Sequence, residues 1–198
     1  MNKLLSIVIP SYDSLEALKS KLFNSLQELQ KYSIPIYITD DSPHSNIKEF
    51  VSNFSKHHKH IFYINNVPRL KHDKNFLKAL QQSKAEYTWI LGDRVWIYQG
   101  AIGKILDVTK KKKYDIISVN LADREMNAPS GIYSDPEKVF DIFCWHLTFT
   151  GATIYSSRVV KTANSINLDD FNNFPQIALI FIYLSHTCSF FWINKKLI

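Results

Sequence analysis

Residues 4–29, LLSIVIPSYDSLEALKSKLFNSLQEL, decide the fold. Residues 4–10 form a short apolar run that Pro10 stops, and the polar turn residues Ser11 to Ser14 follow at once. An apolar run without alternation is the mark of a strand covered on both faces, as in a parallel sheet. Leu15, Leu18, Leu22, Leu26 and Leu29 then recur every three or four positions, giving a helix with one apolar stripe, and Asp13 or Ser14 can cap its exposed amides. The segment is strand, turn, helix.

The same order continues downstream. IPIYITD (34–40), IFYIN (61–65), YTWIL (87–91) and YDIISVN (114–120) read as strands, with helices expected over 46–56, 74–84 and 98–110 between them. Such alternation needs crossover connections, so an α/β fold with a mostly parallel central sheet and helices on both faces is expected. After residue 120 the pattern loosens into the polar, turn-rich LADREMNAPSGIYSDP, followed by helices expected over 137–143, 158–164 and 171–184 and a strand over 151–156. The final SFFWINKKLI reads as a strand leaving the core, which suggests a natural protein longer than this chain.

With 198 residues, 45% of them apolar and 21% charged, the chain has enough apolar surface for one substantial core and is not a disordered tail. No Gly- or Ser-rich linker divides it, so one domain over 1–198 is expected. The net charge of +6 suits an anionic ligand or lipid surface. The basic runs lack the interleaved aromatic pattern of a strand-binding surface, so nucleic acid is not an expected partner. Cys144 and Cys188 have no metal-type spacing and the N-terminus carries no export signal, which points to a reducing cytoplasm. The apolar stretch 177–193 is interrupted by SHTCS and reads as a buried helix running into a strand.

In an open parallel sheet, ligands bind beyond the carboxyl ends of the strands. That rule gathers Tyr12, Asp13, Asp40, Asp41, Asp73 and Asp93 around one crevice, with Arg69, Lys71 and Arg94 close in sequence. Carboxylates suit ribose hydroxyls and base N–H donors, a ring suits a base, and cations suit a diphosphate, so a nucleotide fits this mixture.

Three segments carry a family resemblance: SIVIPSYDS (6–14), IYITDDSP (36–43) and HDKNFLKALQQSKAEYTWILGD (72–93). In this order they resemble the inverting family 2 glycosyltransferases, which use nucleotide-diphosphate sugars. HLTFTGATIYSSRVV (146–160) is similar to the acceptor-side region of abequosyltransferase-like members. The resemblance implies a GT-A, Rossmann-like three-layer sandwich with a nucleotide-sugar half over about 1–120 and an acceptor half over about 121–198. It assigns Pro10, Tyr12, Asp40, Asp41, Asp73, Asn75 and Asp93 to the nucleotide-sugar, to which the strand-end rule adds Asp13 and Lys71. It further implies a saccharide or lipid-linked acceptor, a role in bacterial surface-glycan and lipopolysaccharide assembly, and a place at the inner face of the plasma membrane. The lysine run 110–113 could favour peripheral association with that membrane.

The acidic motif departs from the family. Related members often read Leu-Gly-Asp-Asp-Asp, whereas here Asp93 matches the first aspartate, Arg94 stands at the metal-ligand position and Val95 replaces the third. A Mn2+ or Mg2+ ion at the diphosphate needs oxygen ligands, which Arg94 cannot supply, but a guanidinium can pair with phosphates directly. Three readings stay open: metal-independent transfer with Arg94 as the electrophile, a metal held by other groups such as Asp93, or a module that binds without turnover. Inverting transfer also needs a base for the acceptor hydroxyl. Asp123, Glu125, Asp135, Asp169 and Asp170 are candidates, and Asp169 or Asp170, just before the last expected helix, matches the family position. His57, His58 and His60 sit among lysines without neighbouring ligands and read as a solvated face, while His146 reads as a core or hydrogen-bonding histidine.

Overall fold

The computed structural model describes residues 1–167 and 173–198. Strands β1 (Leu5–Ser11), β2 (Ile36–Asp40), β3 (Ile61–Asn65) and β4 (Tyr87–Ile90) alternate with helices α1 (Leu15–Lys31), α2 (Asn46–Phe54) and α3 (Lys71–Gln82). Helix α4 (Ala101–Lys111), β5 (Ile116–Asn120), β6 (Gly131–Tyr133), α5 (Pro136–Leu147), β7 (Thr153–Ser156), α6 (Ser157–Thr162), α7 (Pro175–Leu184) and β8 (Phe190–Lys196) follow. The sheet runs β3-β2-β1-β4-β7-β5-β8-β6. β1 to β4 are mutually parallel and β8 is parallel to β5, while β7 is antiparallel to both its neighbours and β6 to β8. The fold is α/β with a mostly parallel central sheet.

Strand alternation sorts the core into two layers. Ile7, Ile9, Ile36 and Ile38 face one cluster, completed by Leu18 and Leu22 of α1, Val51 and Phe54 of α2, and Ile102 and Ile105 of α4. Val8, Tyr37 and Ile90 face the other, with Phe76 and Leu80 of α3, Phe143 of α5, Val159 of α6 and Leu179 and Ile180 of α7. Helices therefore cover both faces, as apolar strands without alternation require.

Four local expectations need correction. The helix expected over 98–110 begins at Ala101, because Gly100 adopts a left-handed conformation (φ 84°) and Glu28 of α1 accepts from the amides of Gly100 and Gly103, both at 3.1 Å. The polar stretch after residue 120 contains the short strand β6, and the helix expected over 137–143 reaches Leu147. The last strand does not leave the core. β8 lies between β5 and β6, with Phe190 and Trp192 buried on one face and Ile193 on the other, and Trp192 Nε1 donates to Ala128 O at 3.0 Å. Residues 177–193 do form a helix, a turn and a strand, and among the described residues no helix is long and apolar enough to cross a membrane.

Candidate functional site

The register brings the strand ends level. Ser11 pairs opposite Asp40 and Asp40 opposite Asn65, while Leu91 N donates to Val8 O at 3.0 Å as the chain leaves β4. Beyond these ends lies a crevice of about 260 Å³, lined by Pro10, Tyr12, Asp41, Arg69, Phe76 and Asp93 and bounded on the far side by Thr150. Hollows of about 400 and 390 Å³ lie elsewhere, one beside Glu28 and Gly100 and the other between Gln81 and Lys161, and neither collects strand ends.

Successive residues point to opposite faces of a strand, so the two acids that end β2 separate. Asp40 is fully buried on the α1/α2 side, where its carboxylate accepts from Ser42 N and from the Tyr63 hydroxyl, both at 2.9 Å. Burial, with that bond second, raises the pKa of Tyr63. Asp41 faces the crevice, yet protein donors already surround it. Asn66 Nδ2 (2.9 Å) and Leu70 N (3.0 Å) reach Oδ1, Lys71 N (2.6 Å) reaches Oδ2, and Arg69 Nε stands 3.7 Å from Oδ2. Arg69 also lies over the Tyr12 ring, 3.9 Å from its centroid. The guanidinium thus bridges a carboxylate and an aromatic face.

The other assigned residues take separate positions. Asp13 has φ 48° and shapes the turn, its amide donating to Ser42 Oγ at 2.8 Å. Lys71 contributes its amide to Asp41 while its side chain is exposed. Asp73 is engaged within the protein, with Oδ1 at 2.6 Å from Nδ1 of His72, which lines the crevice, and Oδ2 accepting from Asn173 N at 2.9 Å. Asn75 is buried and ties the strand ends together, donating to Thr39 O (3.1 Å) and Ser11 O (3.4 Å) and accepting from Asn66 (2.9 Å). Its amide is thereby used within the protein, which explains an asparagine on the buried face of α3.

Asp93 sits at the opposite lip. Its Oδ2 accepts from Tyr12 N at 3.3 Å and from the Ser14 hydroxyl, and among the described residues its Oδ1 has no protein donor. Ser14 was expected to cap α1, but it makes no side-chain cap bond and turns its hydroxyl to Asp93 instead. Arg94 is exposed and makes no ion pair among the described residues. Beneath the turn lies Lys21 of α1, fully buried, whose ammonium donates to Gly92 O. Burial pushes its pKa down to about 7, against the upward pull of the Asp93 charge. Lys21 was missed because a lysine counts as polar in the helical pattern. Its place three residues after Leu18, on the buried stripe, was the available signal.

On the acceptor side, Glu125 pairs with Lys196 at 2.7 Å, and Asp135 caps α5 by accepting from Glu137 N at 3.0 Å. Asp169 and Asp170 lie outside the described residues. His58 departs from the expected solvated face: it is buried, its Nε2 lies 2.7 Å from Ile34 O, and burial lowers its pKa. His146 is a core histidine, with Nε2 2.9 Å from Val119 O.

The family model described as glycosyl transferase family 2 matches residues 6–160. The chain belongs to glycosyl transferase family 2. Among curated proteins none matches it in sequence. S. aureus TarS 1–349 in complex with UDP-GlcNAc is similar in structure, with a TM-score of 0.74 at 13% identity over 98% of this chain and 57% of that one. A further crystal structure of S. aureus TarS 1–349 gives 0.71 at 15% identity, covering 98% and 59%. The mannosyltransferase PcManGT from Pyrobaculum calidifontis, in complex with GDP-Man and Mn2+, gives 0.65 at 11% identity, covering 99% and 55%. This family 2 chain therefore has the GT-A glycosyltransferase fold and spans less than two thirds of these structures' length.

Proposed function

We propose that this family 2 domain moves a sugar from a nucleotide-diphosphate sugar to a saccharide or lipid-linked acceptor in bacterial surface-glycan synthesis, in the cytoplasm at the membrane face. The observation that carries this reading is the crevice at the ends of β1, β2 and β4, where Tyr12, Asp41 and Asp93 converge. Nucleotide-sugars named with the TarS and PcManGT structures support the donor class. In this reading Tyr12 and the Asp41–Arg69 pair meet the base, Asp93 the ribose or sugar, and Arg94 the diphosphate. The acceptor hydroxyl attacks the anomeric carbon in line as the bond to the diphosphate oxygen breaks, with inversion. Its proton passes to a carboxylate, for which Asp169 or Asp170 is the candidate. The abequosyltransferase-like likeness of residues 146–160 points to the same acceptor side.

The residues present do not fit a divalent ion. Beside diphosphate and water oxygens such an ion needs one or two protein carboxylates, whereas Asp93 offers one unengaged oxygen and the next residue, Arg94, is a cation that repels it. Arg94 in the metal's place is therefore the proposed electrophile. The second reading, a module that binds without turnover, draws on the same Arg94 and on an Asp41 already surrounded by protein donors.

Calorimetric titration with UDP, GDP and their sugar conjugates, with and without Mn2+, tests the proposal. Wild type should bind independently of Mn2+, Arg94→Ala should weaken binding by about tenfold or more, and Arg94→Asp should make it Mn2+-dependent. A chain that binds no nucleotide refutes the transfer reading and the nucleotide-binding form of the second, leaving a module that binds a glycan or partner protein.

A further inference from the structure

A lysine inside an apolar core needs a reason, since an unpaired buried ammonium is strongly disfavoured. Lys21 is only 1% exposed. Around it stand Ile7 and Ile9 of β1, Leu22 and Leu29 of α1, Ile36 of β2, and Leu91 and Ile97 of the segment that carries the acidic motif. The hydroxyl of Ser25 is the other polar group lining this space, and Asp93 is the charged group whose field reaches the ammonium. Lys21 donates to the carbonyl of Gly92, the residue immediately before Asp93. The helix thus presents a cation to the underside of a turn whose upper side bears a carboxylate.

We propose that Lys21 is a positioning residue of the donor site: it fixes the Gly92–Asp93 turn from below and supplies the countercharge that lets Asp93 face a diphosphate without a divalent ion. The inference rests on the nucleotide-sugar reading. An acidic residue at a diphosphate site repels the ligand unless a cation offsets it. Here the offsetting charge comes from within the core, behind the carboxylate, so Asp93 remains free to accept ligand hydroxyls through Oδ1. Arg94 is then left to meet the phosphates instead of neutralising its own neighbour. The low-dielectric surroundings make the Lys21–Asp93 coupling much stronger than a surface pair of the same separation.

The test measures UDP, GDP and inorganic pyrophosphate binding by calorimetry at pH 6, below the folded pKa of Lys21 so that its ammonium is charged, with and without Mn2+, for wild type, Lys21→Met, Lys21→Gln, Asp93→Asn and Lys21→Met/Asp93→Asn, each checked for folding by circular dichroism. Lys21→Met should lose about tenfold in affinity, with or without Mn2+, while wild type is indifferent to the ion. The double variant should bind within about threefold of Asp93→Asn alone and ignore Mn2+, because the uncompensated carboxylate is gone. If Lys21→Met does not fold, Lys21→Gln, which keeps a donor for Gly92 O without the charge, carries the same expectation. Wild-type affinity in the folded Lys21 variants, or an equal loss when Lys21→Met is added to Asp93→Asn, overturns the inference and leaves the donor reading intact. Wild type that binds pyrophosphate alone overturns the nucleotide reading and leaves Lys21 to be judged on pyrophosphate; binding of none of the three overturns both.

Discussion

The ends of β2 and β4 both bring an aspartate to one crevice, and they treat it in opposite ways. At β2, Asp41 is 4% exposed and receives three hydrogen bonds, two from backbone amides, with Arg69 beside it. At β4, Asp93 is only half-buried, shares one oxygen between Tyr12 N and Ser14, and leaves the other open. The first carboxylate organises the loop between β3 and α3; the second is held by an edge and faces outward. The residue types are the same, and the number of donors that each backbone turn delivers decides whether the acid serves the fold or remains available to a ligand.

The largest expected effect breaks the β2 side. Asp41→Ala leaves Leu70 N, Lys71 N and Asn66 without their acceptor and should lower stability by about 3–5 kcal/mol, since hydrogen bonds to charged groups are worth about 1.5–3 kcal/mol each and are not additive. Asp93→Ala should cost only about 0.5–1.5 kcal/mol, because two donors lose an acceptor at a site that water reaches. Urea denaturation followed by tryptophan fluorescence measures both. Equal losses would erase the distinction between the two ends.

A pH titration of stability sharpens the β4 side. Burial lowers the folded pKa of Lys21 to about 7, from the ordinary lysine value of 10.5. Between those values the unfolded chain binds more protons, so the contribution of Lys21 makes unfolding free energy rise with pH from about 7 to about 10.5. The gain should be of order 1–4 kcal/mol, and Lys21→Met should be more stable than wild type near neutrality and lack this slope. Denaturation midpoints of the two proteins at pH 7, 8, 9 and 10 provide the measurement; parallel profiles would show that Lys21 is not held as an unfavourable buried cation.

Much of this was legible because it is local. The apolar run 4–10 and the leucine spacing that follows specify β1 and α1, and the rule that ligands gather at strand ends brings Tyr12, Asp41 and Asp93 together, as the crevice does. What was not legible depends on partners far along the chain. The antiparallel direction of β7 follows from pairing with both β4 and β5, and three-residue β6 exists only because β8 offers an edge. Asn75 and Asp73 read as ligand-facing in the motif, but their side chains also engage Thr39 and Asn173, each distant in sequence. Lys21 needed the Gly92 carbonyl, 71 positions away, to explain it.

Ser14 gives the smallest test. If its hydroxyl serves Asp93 rather than the amides of α1, Ser14→Ala should leave stability within about 0.5 kcal/mol, whereas losing a helix cap costs about 0.5–2 kcal/mol. The effect should fall on the site: a carboxylate deprived of one donor carries less dispersed charge toward the crevice, and UDP or GDP affinity should drop by about threefold. The same substitution in an Asp93→Asn background should change affinity little, because the serine then has no anion to serve. Calorimetry and urea denaturation on the four proteins separate the alternatives. A stability loss near 1 kcal/mol with unchanged affinity would return Ser14 to the helix, and the open lip of the crevice would then depend on the Tyr12 amide and Lys21 without it.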